Sequence, residues 1–363
     1  MADHAGPPAQ GGTQRFTHTG PPTWAETDPP HGRDERSPRH PRRDPQPSRR
    51  ARPQDERTPT RRASHLPSQG WRRWLSQITG GVVRPGPSQS ELRARHLVSC
   101  LTRSVDGSRV IAVVSSKGGV GKTTTAANLG HTFAAFRADR VIALDANPDS
   151  AGLAYRIKRE TAAGVNELLS GLAGDRVHGY QDIRLFTSQA TSRLEVLSSP
   201  DDPRVSRTLE TRDYLRVLDT LRQYFTVILA DCGTGSLGLL TQGIIQTADQ
   251  LVVVTAPSID AARTNSAMLS WLADRGHARL VEDAVVVMNG IPPRMGPVNL
   301  PAIERHFAQR VRTVVRIPWD THLETGARTA LEDLAPATRD AYLHLAASVA
   351  DGFRSQERHP RAH

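Results

Sequence analysis

Two lysines stand five residues apart in a glycine-rich run, Lys117-Gly118-Gly119-Val120-Gly121-Lys122-Thr123-Thr124. Glycines at this spacing let the backbone curl until successive N–H groups point inward, a cradle for phosphate oxygens. A helix starting at the end of such a loop adds its partial positive charge. In that arrangement Lys122 reaches the β- and γ-phosphates of a nucleotide, and Thr123 offers its hydroxyl to Mg²⁺. The loop from Gly118 to Thr124 is therefore the candidate nucleotide-binding segment. The chain holds 47 basic residues, of which only Lys117, Lys122 and Lys158 are lysine. In a chain that uses arginine almost everywhere, two lysines in one loop point to a need for compact ammonium groups, which a planar guanidinium does not meet.

Such a loop needs carboxylates to hold Mg²⁺ and its waters. Asp231 follows the apolar run Thr226–Ala230 and precedes Cys232-Gly233-Thr234-Gly235. Asp145 follows Val141–Leu144 and opens Asp145-Ala146-Asn147-Pro148-Asp149. Thr123, Asp145 and Asp231 form the expected metal set; the competing reading of Asp231 is a cap at a turn. Asn289 ends the run Val285–Met288 just before Gly290, and a plain strand-ending Asn-Gly turn is one reading of it.

The elements that must position these groups follow from periodicity. Strand-like runs are expected at Val110–Val114, Val141–Leu144, Leu194–Leu197, Thr226–Ala230, Leu251–Thr255, Ala284–Met288 and Thr313–Ile317. Helical stretches fall at Lys122–Phe136, Val165–Leu172, Asp213–Tyr224, Leu237–Ile245, Asp260–Ala273, Pro301–Gln309 and Arg339–Phe353. Continuous apolar strands alternating with helices predict an α/β fold, a mostly parallel sheet covered on both faces. Ligands of such sheets sit at the carboxyl ends of the strands.

The flanks differ in kind. Residues 1–69 carry 13 of the 26 prolines, many arginines and few large apolar side chains, so they are expected to form a disordered arm. Residues 1–106 hold 18 Arg, no Lys and 10 acidic residues, or +8 of the net +10. Such an arm suits nonspecific contact with DNA, an anionic membrane or an acidic protein. Residues 70–106 read as an aromatic-basic linker. Trp71, Trp74, Leu75 and Ile78 share one face of a short helix, and Ser88 caps another that starts near Glu91. Packing on the chain's own domain, a partner protein, and lipid or nucleic acid stay open for the tryptophan face. The P-loop domain is expected over 107–354 and a polar tail over 355–363. Two cysteines, no signal-like N-terminus and no apolar run of membrane-spanning length suggest a cytoplasmic chain.

The general template G-x4-G-K-[ST] asks for glycine at 116, where serine stands. The K-G-G-x-G-K-T that occurs instead resembles the deviant Walker A motif of the MinD/ParA family. That resemblance implies a SIMIBI-type P-loop NTPase fold with ATP and Mg²⁺ as cofactors. It implies that Lys117 reaches across a homodimer to the partner's nucleotide, giving a dimer with ATP and a monomer with ADP. Asn289 is similar to the family's adenine-contacting asparagine. Asp145–Asp149 resembles the family's D-x-D-P-Q segment, whose second aspartate orients the attacking water. Here that position is Asn147, whose amide can hold a water but cannot take its proton; Asp149 lies two residues on. The implied catalytic set is Lys117, Lys122, Asp145 and Asn147, with slow or partner-stimulated ATP hydrolysis. Asp145–Asp149, Asp231–Gly235, Leu185–Gln189, Arg193–Leu197 and Ile317-Pro318-Trp319-Asp320 are similar to the MinD-like ATPases of actinobacterial type VII (ESX) secretion loci. A switch that positions an unknown partner, here a type VII secretion component, with peripheral membrane recruitment, is the implied role. Two other readings stand beside it: a hydrolysis-deficient ATP-binding scaffold, and a ParA-like DNA-partitioning factor using the arm. The lack of a tyrosine-rich tail, of a cysteine pair for a bridging cluster and of an amphipathic C-terminal helix argues against three further branches.

Overall fold

The computed structural model describes residues 89–146, 152–199, 209–233, 238–294 and 296–358. The arm over 1–69, the tryptophan segment, Asn147, Asp149 and the last five residues lie outside the described residues.

Eight strands form one sheet: β1 (Arg109–Val114), β2 (Val141–Ala146), β3 (Ser188–Gln189), β4 (Glu195–Leu197), β5 (Val227–Cys232), β6 (Gln250–Thr255), β7 (Val285–Ile291) and β8 (Thr313–Pro318). Their order is β3-β4-β2-β5-β1-β6-β7-β8, parallel throughout except for the β3–β4 edge pair. The helices are α1 (Gln89–Leu101), α2 (Lys122–Phe136), α3 (Val165–Ala173), α4 (Tyr180–Arg184), α5 (Thr211–Arg222), α6 (Leu239–Thr247), α7 (Ile259–Leu272), α8 (Ala278–Glu282), α9 (Leu300–Ala308), α10 (Thr321–Glu324) and α11 (Pro336–Arg358).

The central strands are buried on both faces, which is why they read as unbroken apolar runs rather than alternating ones. Alternate side chains nevertheless serve two cores. Val110, Ala112, Ile142, Leu144, Ile228 and Ala230 pack with α3, α5, α6, α7 and α9 on one face. Ile111, Val113, Val141, Ala143, Val227 and Leu229 pack with α2 and α11 on the other. Two of the strands that run past their apolar residues carry acids: β5 includes Asp231 and Cys232, and β2 includes Asp145 and Ala146. The ladder thus fixes both carboxylates, which are direct register partners. By the two-residue alternation they share the parity of Ala143 and Leu229, so both face α2.

The crossovers diverge at the sheet's centre. From β1 the chain runs through α2 to β2, beyond β5, whereas from β5 it runs through α6 to β6, on the far side of β1. The crevice at the carboxyl ends of β1 and β5 is therefore the topological switch point.

Candidate functional site

β1 ends at Val114 and α2 begins at Lys122; the seven residues between them form the loop. Gly119 and Gly121 have φ of +74° and +89°, a left-handed conformation that strains any residue with a Cβ. At Gly121 a Cβ would also collide with the Asn289 amide. The loop is pinned from outside. The Asn289 Nδ2 donates to the Val120 carbonyl at 2.9 Å. The backbone N–H and hydroxyl of Ser116 both donate to Asn265 Oδ1, at 3.0 and 2.9 Å. Asn265 sits on α7, fully buried, with its Nδ2 donating to the Val254 carbonyl at 3.2 Å. Ser116, which breaks the general glycine template, thus uses its hydroxyl to hold the loop.

A cleft of about 440 Å³ opens above the loop. The N-terminus of α2, with Lys122, Thr123 and Thr124, forms one wall together with Gly119 and Gly121. Arg156, together with Asn289 and Gly290 from β7 and with Pro318, Trp319, Asp320, Leu323 and Glu324 around the end of β8, lines the rest. Asp320 is held by the backbone N–H groups of His322 and Ala335, at 3.0 and 2.9 Å, and this fixes the turn that carries Trp319. The volume and the mix of apolar and polar lining suit a nucleotide.

Lys122 is 5% exposed. Burial lowers its pKa from the ordinary lysine value, and the nearby Asp231 only partly offsets this. Asp231 is pushed up to about 6, again chiefly by burial, against the hydroxyl of Thr123, Lys122 and Arg156. Mutual attraction thus does not compensate the pair for leaving water. Burial and the adjacent Asp231 also push the Cys232 thiol up, leaving it an inert neighbour.

Asp145 and Asp231 lie behind the cleft wall, at 0% and 1% exposure. The Thr123 hydroxyl helps hold down the pKa of Asp231, whose Oδ1 has no partner among the described residues. A hydroxyl, two carboxylates in register and an unused buried carboxylate oxygen fit Mg²⁺, which takes few protein ligands and completes its octahedron with water and phosphate. No cluster of three or more His, Cys, Asp or Glu side chains is found among the described residues.

The structure brings Lys122, Thr123, Thr124, Asp145 and Asp231 together at one point. Asn289 lines the cleft but spends its Nδ2 on the loop. Lys117 is not among the residues that line the cleft and pairs with Asp260 at the start of α7. Asn147 follows directly on β2 but lies outside the described residues. Asn265, Arg156 and Trp319 were not assigned roles by sequence reasoning. Asn265 sits inside a helical pattern and Arg156 among 44 arginines, so neither gives a local signal.

The model of the AAA domain family matches residues 108–273. The ESX-1 secretion-associated protein EspI of Mycobacterium tuberculosis is 38% identical over 286 residues, 78% of this chain and 42% of EspI. The chain thus spans less than half the length of that curated relative. The sporulation initiation inhibitor protein Soj of Bacillus subtilis is 27% identical over 255 residues, 67% of this chain and 98% of Soj. Among solved structures, the septum site-determining protein MinD of Pyrococcus horikoshii, complexed with Mg-ADP, superimposes with a TM-score of 0.53 at 20% identity. It covers 66% of this chain and 94% of its own. This last likeness is one of fold.

Proposed function

We propose, for a chain that is MinD/ParA-like in its motifs, its relatives and its fold, that it binds Mg-ATP and works as a slowly hydrolysing dimerisation switch. The observation that carries this reading is the meeting of the buried Lys122 and the half-buried Thr123, on the wall of a nucleotide-sized cleft, with the buried Asp231 behind it. Lys122 and the loop N–H groups, Gly118 through Thr124, bind the phosphates. Thr123, Asp145 and Asp231 hold Mg²⁺, which supplies charge neutralisation at the phosphates. Asn147 positions the water without serving as its base, so turnover is slow until a partner completes the site. Lys117 serves the nucleotide of a second copy, leaving Asp260 when the copies meet. Asn289 steadies the loop and borders the base.

The relative named for ESX-1 secretion supports a role in type VII secretion, with a secretion component as the partner the switch positions. No described helix is long and apolar enough to cross a membrane; recruitment to a membrane in this reading is peripheral.

Light scattering of wild type and Lys117→Ala in Mg-ATP and Mg-ADP tests the switch. A dimer in Mg-ATP alone, abolished by Lys117→Ala, supports it; one mass in every nucleotide overturns it. One observation favours a second reading, a hydrolysis-deficient ATP-binding scaffold: the amide at Asn147. An ATPase assay separates the two. The switch turns over slowly and is accelerated by Asn147→Asp, whereas the scaffold shows no turnover and no acceleration.

A further inference from the structure

Two cations line the cleft among the described residues: Lys122 and Arg156. Lys122 comes from the loop. Arg156 comes from a separate element, the last residue of a short 3-10 turn, Ala154–Arg156, that follows β2.

The surroundings of Arg156 hold its backbone well and its charge poorly. Its carbonyl accepts from the Thr329 N–H at 2.9 Å, which ties the turn to the loop ahead of α11. Gly326, at φ +66°, backs the guanidinium closely enough that a Cβ there would lie 3.5 Å from Nη1. Among the described residues the side chain's polar contacts are few. Nη1 donates to the Ala327 carbonyl at 3.3 Å, and Nε is buried with no partner among the described residues. Burial lowers the pKa of the group, with Asp231 the main opposing charge. Asp231 is also drawn on by Lys122. A guanidinium carries five N–H donors, and leaving buried donors unpaired is costly. A planar fork that opens onto a cleft is matched best by an oxyanion that can take two of its N–H groups at once.

We propose that Arg156 is a second phosphate-binding cation of this cleft, closing on a phosphate of the bound nucleotide from the β2 side while Lys122 holds it from the loop. The proposal rests on the nucleotide reading above. It assigns the Arg156 turn a further consequence. Because the same residue holds Thr329 through its carbonyl, nucleotide binding firms the loop between α10 and α11.

The test uses the full chain as wild type, Arg156→Met and Arg156→Lys, titrated calorimetrically with Mg-ATP and Mg-ADP at two salt concentrations. Arg156→Met is expected to bind about 10- to 100-fold more weakly, the range for losing hydrogen bonds to a charged group. Arg156→Lys should fall between the two, keeping the charge but not the fork. The salt dependence of binding should become shallower in Arg156→Met. A loss equal for both nucleotides places the contact on the α- or β-phosphate; a larger loss with ATP places it on the γ-phosphate. Either supports the proposal. Binding of Arg156→Met within twofold of wild type overturns it, as does a loss with unchanged salt dependence, which would mark a packing role. Thermal melting of the nucleotide-free variants checks the fold. Should Arg156→Met melt early, Arg156→Lys carries the test, and binding equal to wild type at both salts overturns the fork contact. Wild type binding neither nucleotide would sink the nucleotide reading itself, a result distinct from any of these.

Discussion

The two ends of α2 each bury a cation, and they bury it differently. Arg137 caps the C-terminal end at 3% exposure. Its guanidinium donates to Asp139 through two nitrogens, Nε at 2.7 Å, and to the carbonyls of Leu101 and Arg103 at 2.7 and 3.1 Å. The helix dipole favours a cation there. Lys122 opens the N-terminal end at 5% exposure, where the same dipole disfavours it. Its neighbour Asp231 is itself shifted toward the neutral form. A satisfied buried charge marks structure: Arg137 staples α1 and the following loop to the domain. An unsettled buried charge marks a site waiting for its ligand, because the desolvation cost persists until an anion arrives.

Exchanging charge for bulk at both ends tests this contrast most severely. Lys122→Met should lower Mg-ATP affinity by about 100-fold or more while leaving the nucleotide-free protein as stable as wild type or more so. Arg137→Met should do the reverse, costing about 3–5 kcal/mol in urea denaturation and sparing the affinity of the folded fraction. Similar stability losses at both ends would dissolve the distinction.

Next in size is Gly121→Ala, at the N-terminal end. Its positive φ and the collision with Asn289 predict a loss of about 1–3 kcal/mol together with at least about tenfold weaker ATP binding. Normal binding in this variant would mean the loop conformation is not what holds the phosphates.

The middle of the same helix supplies a pH test. His131 is 1% exposed, its Nδ1 lies 2.7 Å from the Ser192 hydroxyl, and burial lowers its pKa from 6.5 to about 4. Below about pH 6.5 the unfolded chain takes up a proton that the folded chain refuses until pH falls near 4. Stability should therefore drop across that window as acid is added, by on the order of 2–3 kcal/mol. Melting His131→Gln alongside wild type from pH 7.5 to 4 isolates the effect: the variant should show a shallower decline, and parallel curves would exclude the imidazole as its source.

The smallest effect is expected at the loop's outer lysine. The Lys117 and Asp260 side chains are 40% and 72% exposed, so their pairing adds little. Asp260→Asn should shift unfolding by less than about 0.5 kcal/mol, and a larger shift would show that this pair does structural work.

Much of the fold was legible because burial on both faces leaves strands no alternation to hide in. Helix α2 matches the predicted Lys122–Phe136 at both ends, since a strand, a glycine loop and an apolar period bound it. Less legible were α4, α8 and α10, each of four or five residues and too short for periodicity to appear. The strand ends were also missed: β5 continues through Asp231 and Cys232 because ladder hydrogen bonds do not stop where apolarity does.

What the sequence determined by itself is the local chemistry: a glycine loop with two lysines, a hydroxyl after the second, and acids at the ends of apolar runs. These are short-range patterns, and the backbone geometry they require is written in consecutive residues. What only the tertiary structure decided is which distant groups meet. It placed Asp145 and Asp231 in register across two strands, both facing α2, and put the Asn265 amide against Ser116, 149 residues away. It paired Lys117 with Asp260 and brought Arg156 into the cleft. Those pairings follow from sheet order and helix packing, which depend on the whole buried surface at once, and no run of neighbouring residues contains them.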